Sequence, residues 1–391
     1  MKEALDVVMA WQLRNPNVTD TTAAIEAVKA SRGEQTDSEL PLRLASHFLQ
    51  LTIPPLFAQN KATSNALEAS RQPAPWKEAG NQYALDLLEW TIGTLGQETM
   101  KAKWHFLMPP ILGMIDDVEV QWKAKGCHML NLLLERLQSV GHVDGSKTAV
   151  SKQGSSNFLQ RTGYDNIFAD ALLPMFTYIP SITPEHESVS LFKEALPAVT
   201  LLALLLPTNS SQGDNREQLL DKVVRQGILS PLAHLATPSS YPELATLITS
   251  HVPVVLGHMR IDTVKHLAEL VPLLSAILQE PFALGHVRLL DSTFGAVQSV
   301  MVNGWPRLHN HRAAMMMGLC MLWRTCVEEQ KKGGSQGVER VKTQVKEAVA
   351  MLDAVMQGKE DGLVDMWKQE KQHVVEAAPG FDDLFAECMA K

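Results

Sequence analysis

The sequence predicts an all-α protein, folded as a HEAT/armadillo-like α-solenoid of stacked antiparallel helix pairs. Apolar residues recur three and four positions apart in blocks of about 12–25 residues, which is the period of one buried helix face. Strand signals are scarce, since aromatic residues make up 6% of the chain and no sustained period-two alternation of Val, Ile and Thr is seen. The 391 residues exceed the roughly 100–200 of one ordinary domain. A repeat array that adds layers without one central core is therefore expected.

Helical blocks are separated by proline, glycine and serine along most of the chain. The widest apolar face lies in the block from Val118 to Leu137. Further blocks are predicted at about 164–179, 185–206, 215–236, 241–258, 261–279, 282–301, 307–330, 338–357 and 360–376. Prolines inside apolar blocks are expected to kink or end helices, because proline lacks the N–H of the helix ladder. These prolines are Pro54, Pro55, Pro109, Pro110, Pro174, Pro197, Pro253 and Pro272.

Two proline-containing stretches are predicted to begin helices. In Thr183-Pro184-Glu185 a capping side chain precedes a proline at the first helical position. Trp305-Pro306-Arg307 is predicted to open a helix in the same way, with a proline in its first turn.

The spacing of these blocks predicts five segments. Residues 1–140 form an N-terminal helical part, and residues 141–157 form a flexible loop without apolar periodicity. Helical repeats follow over 158–330, then a linker at 331–337 and C-terminal helices over 338–391.

Charge and cysteine content narrow the classes of function. The formal charge is 35 − 43 = −8 and is spread along the chain, which gives no electrostatic footprint for nucleic acid. The strongest apolar run, Leu201–Leu206, is far short of the ~20 residues that span a bilayer, so no membrane partner is expected. Four cysteines at irregular spacing suit a reducing compartment. Because Met1–Asp6 lacks the apolar core of a secretory signal, an intracellular protein is expected.

Two polar segments contain residue types that occur in chemical sites. Residues 141–148 contain glycines and a lysine, but their spacing differs from that of a phosphate-binding loop, and a solvated linker is favoured. Asp116 and Asp117, with Glu119 close by, form a carboxylate cluster. A helix cap with favourable charge on the next first turn is a better interpretation than an acid–base pair.

The C-terminal half contains a group of four residues of the types that bind zinc. His309, His311, Cys320 and Cys326 supply nitrogen and sulfur, but their spacing fits no zinc knuckle. Buried structural cysteines and a solvated histidine pair are favoured instead. The sequence therefore predicts no enzyme, no cofactor and no metal.

Three short stretches go beyond a generic helical array. Their distinctive positions are Asp116, Asp117 and Gly126 in the first stretch, Arg161, Thr162, Gly163, Pro180, Thr183, Pro184, Glu185 and Ser188 in the second, and Trp305, Pro306 and Arg307 in the third. In this order and spacing they resemble the Tel-two-interacting-protein-two family, which supplies the small subunit of the Triple-T (TTT) complex. The resemblance runs over roughly residues 100–330, with little of it in the first 80 and last 50 residues. Tyr164 stands where a smaller aliphatic residue is expected.

The resemblance implies a HEAT-like scaffold subunit without catalysis. Its partners would be the two larger TTT subunits, Tel-two and Tel-two-interacting protein one. Together they would connect the Hsp-ninety chaperone machinery with newly made phosphatidylinositol-three-kinase-related kinases (PIKK), so that these kinases mature and assemble. The expected compartment is the cytoplasm, with the nucleus as a second one.

The residues themselves leave two roles open for the three stretches. Gly163 is predicted to permit a tight turn with positive φ, and Arg161 to clamp carbonyls or a carboxylate of a neighbouring layer. Internal turn geometry is favoured for each stretch, with partner contact as the alternative, since tryptophan and arginine are common interface anchors. A generic armadillo-type adaptor, such as a transport receptor, remains a second hypothesis. It predicts regularly spaced tryptophans, and the eight in this chain show no period.

Overall fold

The computed structural model describes residues 40–58, 74–81, 83–138, 158–207, 215–235, 237–333, 336–358, 361–377 and 380–389. Within these ranges every regular element is a helix and none is a strand, which confirms the predicted all-α class. The chain divides into two compact units, Met1–Ile167 and Phe168–Lys391. The predicted loop at 141–157 lies outside the described residues.

The first unit is built around a pair of consecutive helices. Its helices are α1 (Leu40–His47), α2 (Ile53–Phe57), α3 (Tyr83–Thr94), α4 (Gln97–Ala102), α5 (Trp104–Ile115) and α6 (Val120–Gln138), with short helical turns at Phe48–Thr52, Pro75–Lys77 and Ala79–Asn81. Helices α5 and α6 pack along each other, α3 lies against α6, and α2 lies against α5. Ile111 and Met114 of α5 and Leu130 and Leu134 of α6 are fully buried, so the apolar spacing of three and four residues marks the core faces as predicted.

The second unit contains most of the long helices. After α7 (Tyr164–Leu172), which includes the boundary between the units, they are α8 (Glu185–Leu205), α9 (Asn215–Lys222), α10 (Ser230–His234), α11 (Pro242–Met259), α12 (Leu267–Gln279), α13 (Val287–Leu308), α14 (Arg312–Lys331), α15 (Gln336–Gln357), α16 (Asp361–Ala377) and α17 (Asp382–Met389). Tighter or wider helical turns connect them at Leu173–Thr177, Val223–Leu229, Pro238–Ser240, Arg260–His266, Ala283–Gly285 and His309–His311.

The long helices of the second unit lie in two rows. Helices α8, α11, α13 and α15 pack side by side in that order, and α12 packs against α14 in the second row. Each of these second-row helices also packs against the helix that follows it in the chain, α12 on α13 and α14 on α15. The long helices from α11 to α15 therefore alternate between the two rows.

Polar contacts fix the register along the first row. Thr200 Oγ1 of α8 lies 2.9 Å from His251 Nε2 of α11, and Thr249 Oγ1 of α11 lies 2.6 Å from Ser292 Oγ of α13. Asp291 of α13 accepts a hydrogen bond of 2.9 Å from the amide of Gln344 on α15. Because a buried polar group is costly without a partner, these pairs restrict how the helices slide past one another.

The prolines behave in two ways. Pro174 lies in the helical turn Leu173–Thr177 that follows α7, and α7 ends ahead of it, as predicted. Pro109 and Pro110, Pro197, Pro253 and Pro272 instead remain inside α5, α8, α11 and α12. An interior proline costs about 3 kcal/mol, because it removes one backbone hydrogen bond and its ring clashes with the preceding turn. This cost is outweighed because each helix buries an apolar face along its full length.

Helix α8 is the one described helix that is long and apolar enough to cross a membrane, by length and composition alone. In the structure 61% of its most apolar window is buried inside the protein. The burial comes from α11, α9 and the turn at Leu173–Thr177, which all pack against it. This arrangement is that of a core helix, and the apolar run Leu201–Leu206 is its C-terminal end.

Candidate functional site

The first stretch lies at the turn between α5 and α6, where Asp117 is held by an ion pair. Its carboxylate is 2.7 Å from Lys77 Nζ, and it also accepts the backbone N–H of Glu119 at 3.0 Å. Glu119 is 3.2 Å from the same Lys77, and its pKa is lowered by hydrogen bonds from Gln121 and Lys77. Asp117 thus caps the turn that starts α6, in agreement with the structural interpretation of the acidic cluster.

Lys77 connects this acidic turn to an aromatic cluster. Its ammonium group lies 5.4 Å from the ring centroid of Trp76 and 5.6 Å from that of Trp122, within cation–π range. The two indoles meet edge to face at 4.9 Å, and Phe57 stacks on Trp76 at 5.6 Å. The signal that sequence reasoning missed is Trp76-Lys77 itself, which is 40 residues from Asp117 along the chain.

Asp116 and Gly126 complete the first stretch in different ways. Asp116 is exposed and follows the last residue of α5, so its carboxylate faces solvent. A Cβ on Gly126 would lie 2.7 Å from the backbone nitrogen of Ile115, closer than real side chains come. Gly126 therefore permits the close packing of α6 on α5, which is a requirement of the fold.

The first part of the second stretch forms a helix end. Residues 158–162 are helical, and Gly163 follows with a φ of 72°, as predicted. Thr162 Oγ1 donates to the carbonyl of Phe158 at 2.7 Å and so stays within its own turn. Arg161 is exposed and has no hydrogen bond or ion pair within the described ranges, so the predicted carbonyl or carboxylate clamp is not seen there.

Tyr164 has a packing role that explains the larger side chain at this position. Its ring lies 5.5 Å from Trp104 of α5, which also meets Phe158 edge to face at 5.2 Å. Both rings cover the buried indole of Trp104. An aliphatic residue would lose this aromatic contact.

The second part of the second stretch leads into α8, and here one detail of the prediction is wrong. Pro184 occupies the N-cap of α8 instead of the first helical position, and the cap has no side-chain hydrogen bond from Thr183. Thr183 is buried and its backbone N–H donates to the carbonyl of Ile179 at 3.1 Å. The buried Thr183 side chain does not reach the first N–H groups of α8. Backbone hydrogen bonds therefore stabilise the turn before α8. Pro180 is also buried in this turn, with Ser188 bonded to Pro184 O at 3.3 Å.

Glu185 makes the most informative contact of the second stretch. Its Oε1 accepts the backbone N–H of Glu243 at 3.1 Å and that of Leu244 at 3.2 Å. Both N–H groups belong to the first turn of α11, which lacks partners of its own and carries positive helix-dipole charge. Glu185 at the start of α8 is thus the cap of the next helix in the row, 58 residues further along the chain.

A second carboxylate binds a backbone N–H of the short helical turn Pro238–Ser240 in the second unit. Glu280, which follows α12, accepts the backbone N–H of Ser239 at 3.2 Å, just ahead of α11. Sequence reasoning overlooked both contacts, because the acceptor and its donor are far apart in the chain.

The third stretch lies at the end of a helix, so the predicted helix start there is wrong. Trp305, Pro306 and Arg307 belong to the last turn of α13, which runs through to Leu308. Gly304 beside them lets Leu267 approach, since a Cβ there would lie 2.7 Å from its Cδ2. Helix α13 therefore continues to Leu308, beyond the predicted block at 282–301, because its last turns pack against Leu267. Trp305 is 51% exposed, and Arg307 is exposed without a hydrogen bond or ion pair among the described residues.

The residues considered for zinc do not converge in the described part of the chain, where no group of three His, Cys, Asp or Glu side chains could hold a metal. Cys326 is buried and Cys320 is partly so, and burial raises their pKa values to about 11 and about 12. Both thiols are therefore protonated near neutral pH and poor ligands.

The structure thus places most residues of the three stretches at helix ends. A comparison with known families covers most of these positions, since the model of the Tti2 family matches residues 6–285. This chain belongs to the Tti2 family. The resemblance drawn from the three stretches is confirmed. No solved structure matches the chain.

The extent of the Tti2 match differs from the predicted extent in two respects. It reaches back to residue 6, so it includes the first 80 residues, in which the sequence offered few distinctive motifs. It ends at residue 285, so the third stretch lies outside it, while the first two lie inside. The match to the Tti2 family therefore covers the first two stretches and not Trp305-Pro306-Arg307.

Proposed function

We propose that this chain is a non-catalytic scaffold subunit of the TTT complex, in which it binds the two larger subunits, Tel-two and Tel-two-interacting protein one. The match to the Tti2 family over residues 6–285 carries this proposal, since membership of that family supports a role in the complex in general. Its finer content is that the complex supports the maturation, stability and assembly of PIKK kinases together with the Hsp-ninety machinery. The work takes place in the cytoplasm and in the nucleus, without nucleic acid, membrane or cofactor.

The proposed architecture is a HEAT-like α-solenoid. It is supported by the alternation of α11 to α15 between two rows and by the parallel register that Thr200, His251, Thr249 and Ser292 set along the first row. Stacked helix pairs expose long surfaces, which suit the binding of extended partners.

The residues of the three stretches fall into two groups, of which only one supports a binding role. Asp117, Gly126 and Glu185 are engaged in contacts within the chain, so folding accounts for them. Arg161, Trp305 and Arg307 are exposed, and half-exposed tryptophan and exposed arginine are typical anchors of interfaces.

The deciding experiment is recovery of the tagged chain at its natural expression level from gently lysed cells. We expect the two larger subunits to co-purify in equal amounts and the abundance of PIKK kinases to fall when the chain is depleted. Recovery of the chain as a lone monomer, with kinase abundance unchanged, would contradict the proposal. A chain tagged at the other end controls for an interface blocked by the tag.

A further inference from the structure

A cavity of about 410 Å³ lies in the second unit. It is formed between α9 and the end of α11 with the turn that follows. Its lining residues are Arg216, Glu217, Leu220, Asp221, Gly257, His258, Met259, Arg260, Ile261 and Asp262. Two arginines and a histidine thus contribute to one wall of a single cavity.

The backbone at Arg260 is strained. Its φ is 52° and its ψ is −121°, a conformation that glycine adopts readily and other residues adopt at a cost. Among the described residues, only Ser181 is another non-glycine with positive φ. The fold therefore keeps a long cationic side chain where glycine would suit the backbone better. Such outliers concentrate at binding sites, where the side chain is needed for something other than stability.

Two of the three carboxylates of the cavity have partners of their own. Asp221 lies 3.0 Å from His266 Nε2 and 3.9 Å from Lys265, and Asp262 lies 2.9 Å from Lys265. The pKa of Lys265 is raised, first by its hydrogen bond to Asp262 and to a smaller extent by the charges of Asp221 and Glu217. Lys265 thus offsets part of the negative charge at the cavity.

His258 lies close enough to both arginines of the cavity to sense their charges. The pKa of His258 is lowered, first by burial and then by the charges of Arg216 and Arg260. Both arginines therefore act on the same point, the imidazole of His258. A guanidinium group presents a planar fork of donors that matches carboxylate and phosphate oxygens.

We infer that this cavity binds an oxyanion, the carboxylate or phosphate of a partner protein's side chain, with Arg260 and Arg216 as its ligands. The identity of the source as a partner protein rests on the proposed function, whereas the binding of the oxyanion does not. An acidic or phosphorylated residue of a partner would enter the cavity as a single charged anchor.

The first experiment measures the melting temperature of the purified chain with potassium phosphate or potassium acetate against potassium chloride at equal ionic strength. For a dissociation constant in the millimolar range, 20 mM phosphate should raise the midpoint by about 2 °C. The ion with the larger effect identifies the source as a phosphorylated or a carboxylate side chain.

Variants separate binding from strain. Arg260→Gly should raise the melting temperature without anion, because the strain is relieved, and should abolish the response to anion. Ser181→Gly is the matched control, which relieves strain at the other positive φ and should keep the full response. Arg260→Gln keeps the backbone strain but should also lose the rise in melting temperature on adding anion. Arg288→Gln on α13 should change neither the melting temperature nor its rise with anion. The inference is overturned if wild type shows no response, or if Arg260→Gly responds as wild type does.

The second experiment uses the assembled complex. At raised salt, the complex of the Arg260→Gly variant with its partners should have a half-life at least tenfold shorter than that of the wild-type complex. If the variant and wild-type complexes have equal half-lives, the oxyanion does not come from a partner protein. Failure of wild type to co-purify at all would instead count against the proposed function, because the anion response is read on the isolated chain.

Discussion

The second and third stretches differ in what their charged residues contact. Glu185 of the second stretch accepts two N–H groups at the start of α11, so its charge stabilises the packing of one helix on the next. Arg307 of the third stretch is exposed in the last turn of α13, beside a half-exposed tryptophan. Both are charged residues at helix ends, yet one interacts within the chain and the other is available to a partner. A distinctive motif therefore does not by itself mark a binding surface.

The comparison predicts two kinds of mutational effect. Changes at residues engaged within the chain should lower the free energy of unfolding and reduce binding only as a consequence. Changes at exposed residues should reduce binding with the melting temperature nearly unchanged. A melting curve measured beside a co-purification assay distinguishes the two.

Acid should weaken the interface between α8 and α11, which Glu185 also stabilises, and this is the largest expected effect. Burial lowers the pKa of His251 from 6.5 to about 4. The unfolded chain therefore binds a proton below pH 6.5 while the folded chain does not, and stability falls as pH drops from 6.5 to 4. The shift corresponds to a loss of up to about 3 kcal/mol, which levels off below pH 4.

The measurement is a series of urea titrations between pH 7 and pH 4. His251→Gln should flatten the dependence in this window, since glutamine has no proton to gain. His105→Gln, at an exposed position of the first unit, should leave the slope as in wild type. An unchanged slope in His251→Gln would show that other groups carry the acid sensitivity.

Gly126→Ala should destabilise the first unit by about 2 kcal/mol, because the new methyl group overpacks α6 against the backbone of α5. Gly113→Ala is the matched control. It lies in α5 with open space around its Cβ, and alanine there should stabilise by about 0.5–1 kcal/mol. Opposite shifts of the melting temperature are expected, and a shift of the same sign would contradict the close approach at Gly126.

Glu185→Ala should destabilise the second unit by about 1–2 kcal/mol, because two N–H groups at the start of α11 lose their acceptor. Glu187→Ala, in the same first turn of α8, is the control and should cost less than about 0.5 kcal/mol. Hydrogen exchange of the Glu243 and Leu244 amides gives a direct measurement. Equal protection in Glu185→Ala and wild type would mean that the cap contributes little.

Much of the local structure could be predicted from sequence, because it depends on neighbouring residues. The spacing of apolar residues predicted most of the helices, and the positive φ of Gly163 followed from its place after a helix. Pro306 was misjudged because proline is typical of a first turn. Contact with Leu267 beside it, which the sequence does not reveal, keeps that turn in α13.

The long-range contacts could not be predicted in this way. Glu185 and its two donors are 58 and 59 residues apart, and Lys77 and Asp117 are 40 apart. No local pattern sets such pairs, since they depend on which helices become neighbours in the fold. The strain at Arg260 was equally invisible, because arginine carries no sequence signal for positive φ.

Arg307→Glu should have the smallest effect on stability and a clear effect on binding. Reversing a charge in the last turn of α13 costs about 0.5 kcal/mol through the helix dipole, which lowers the melting temperature by roughly 2 °C at most. If Trp305 and Arg307 anchor a partner, co-purification should fall at least tenfold, or about 1.4 kcal/mol. Arg161→Glu tests the exposed residue of the second stretch in the same assay, and Arg288→Glu at an exposed position of α13 controls for charge alone. Normal co-purification with both stretch variants would move the interface away from these stretches. A large drop in melting temperature would instead mean that Arg307, like Glu185, acts within the chain.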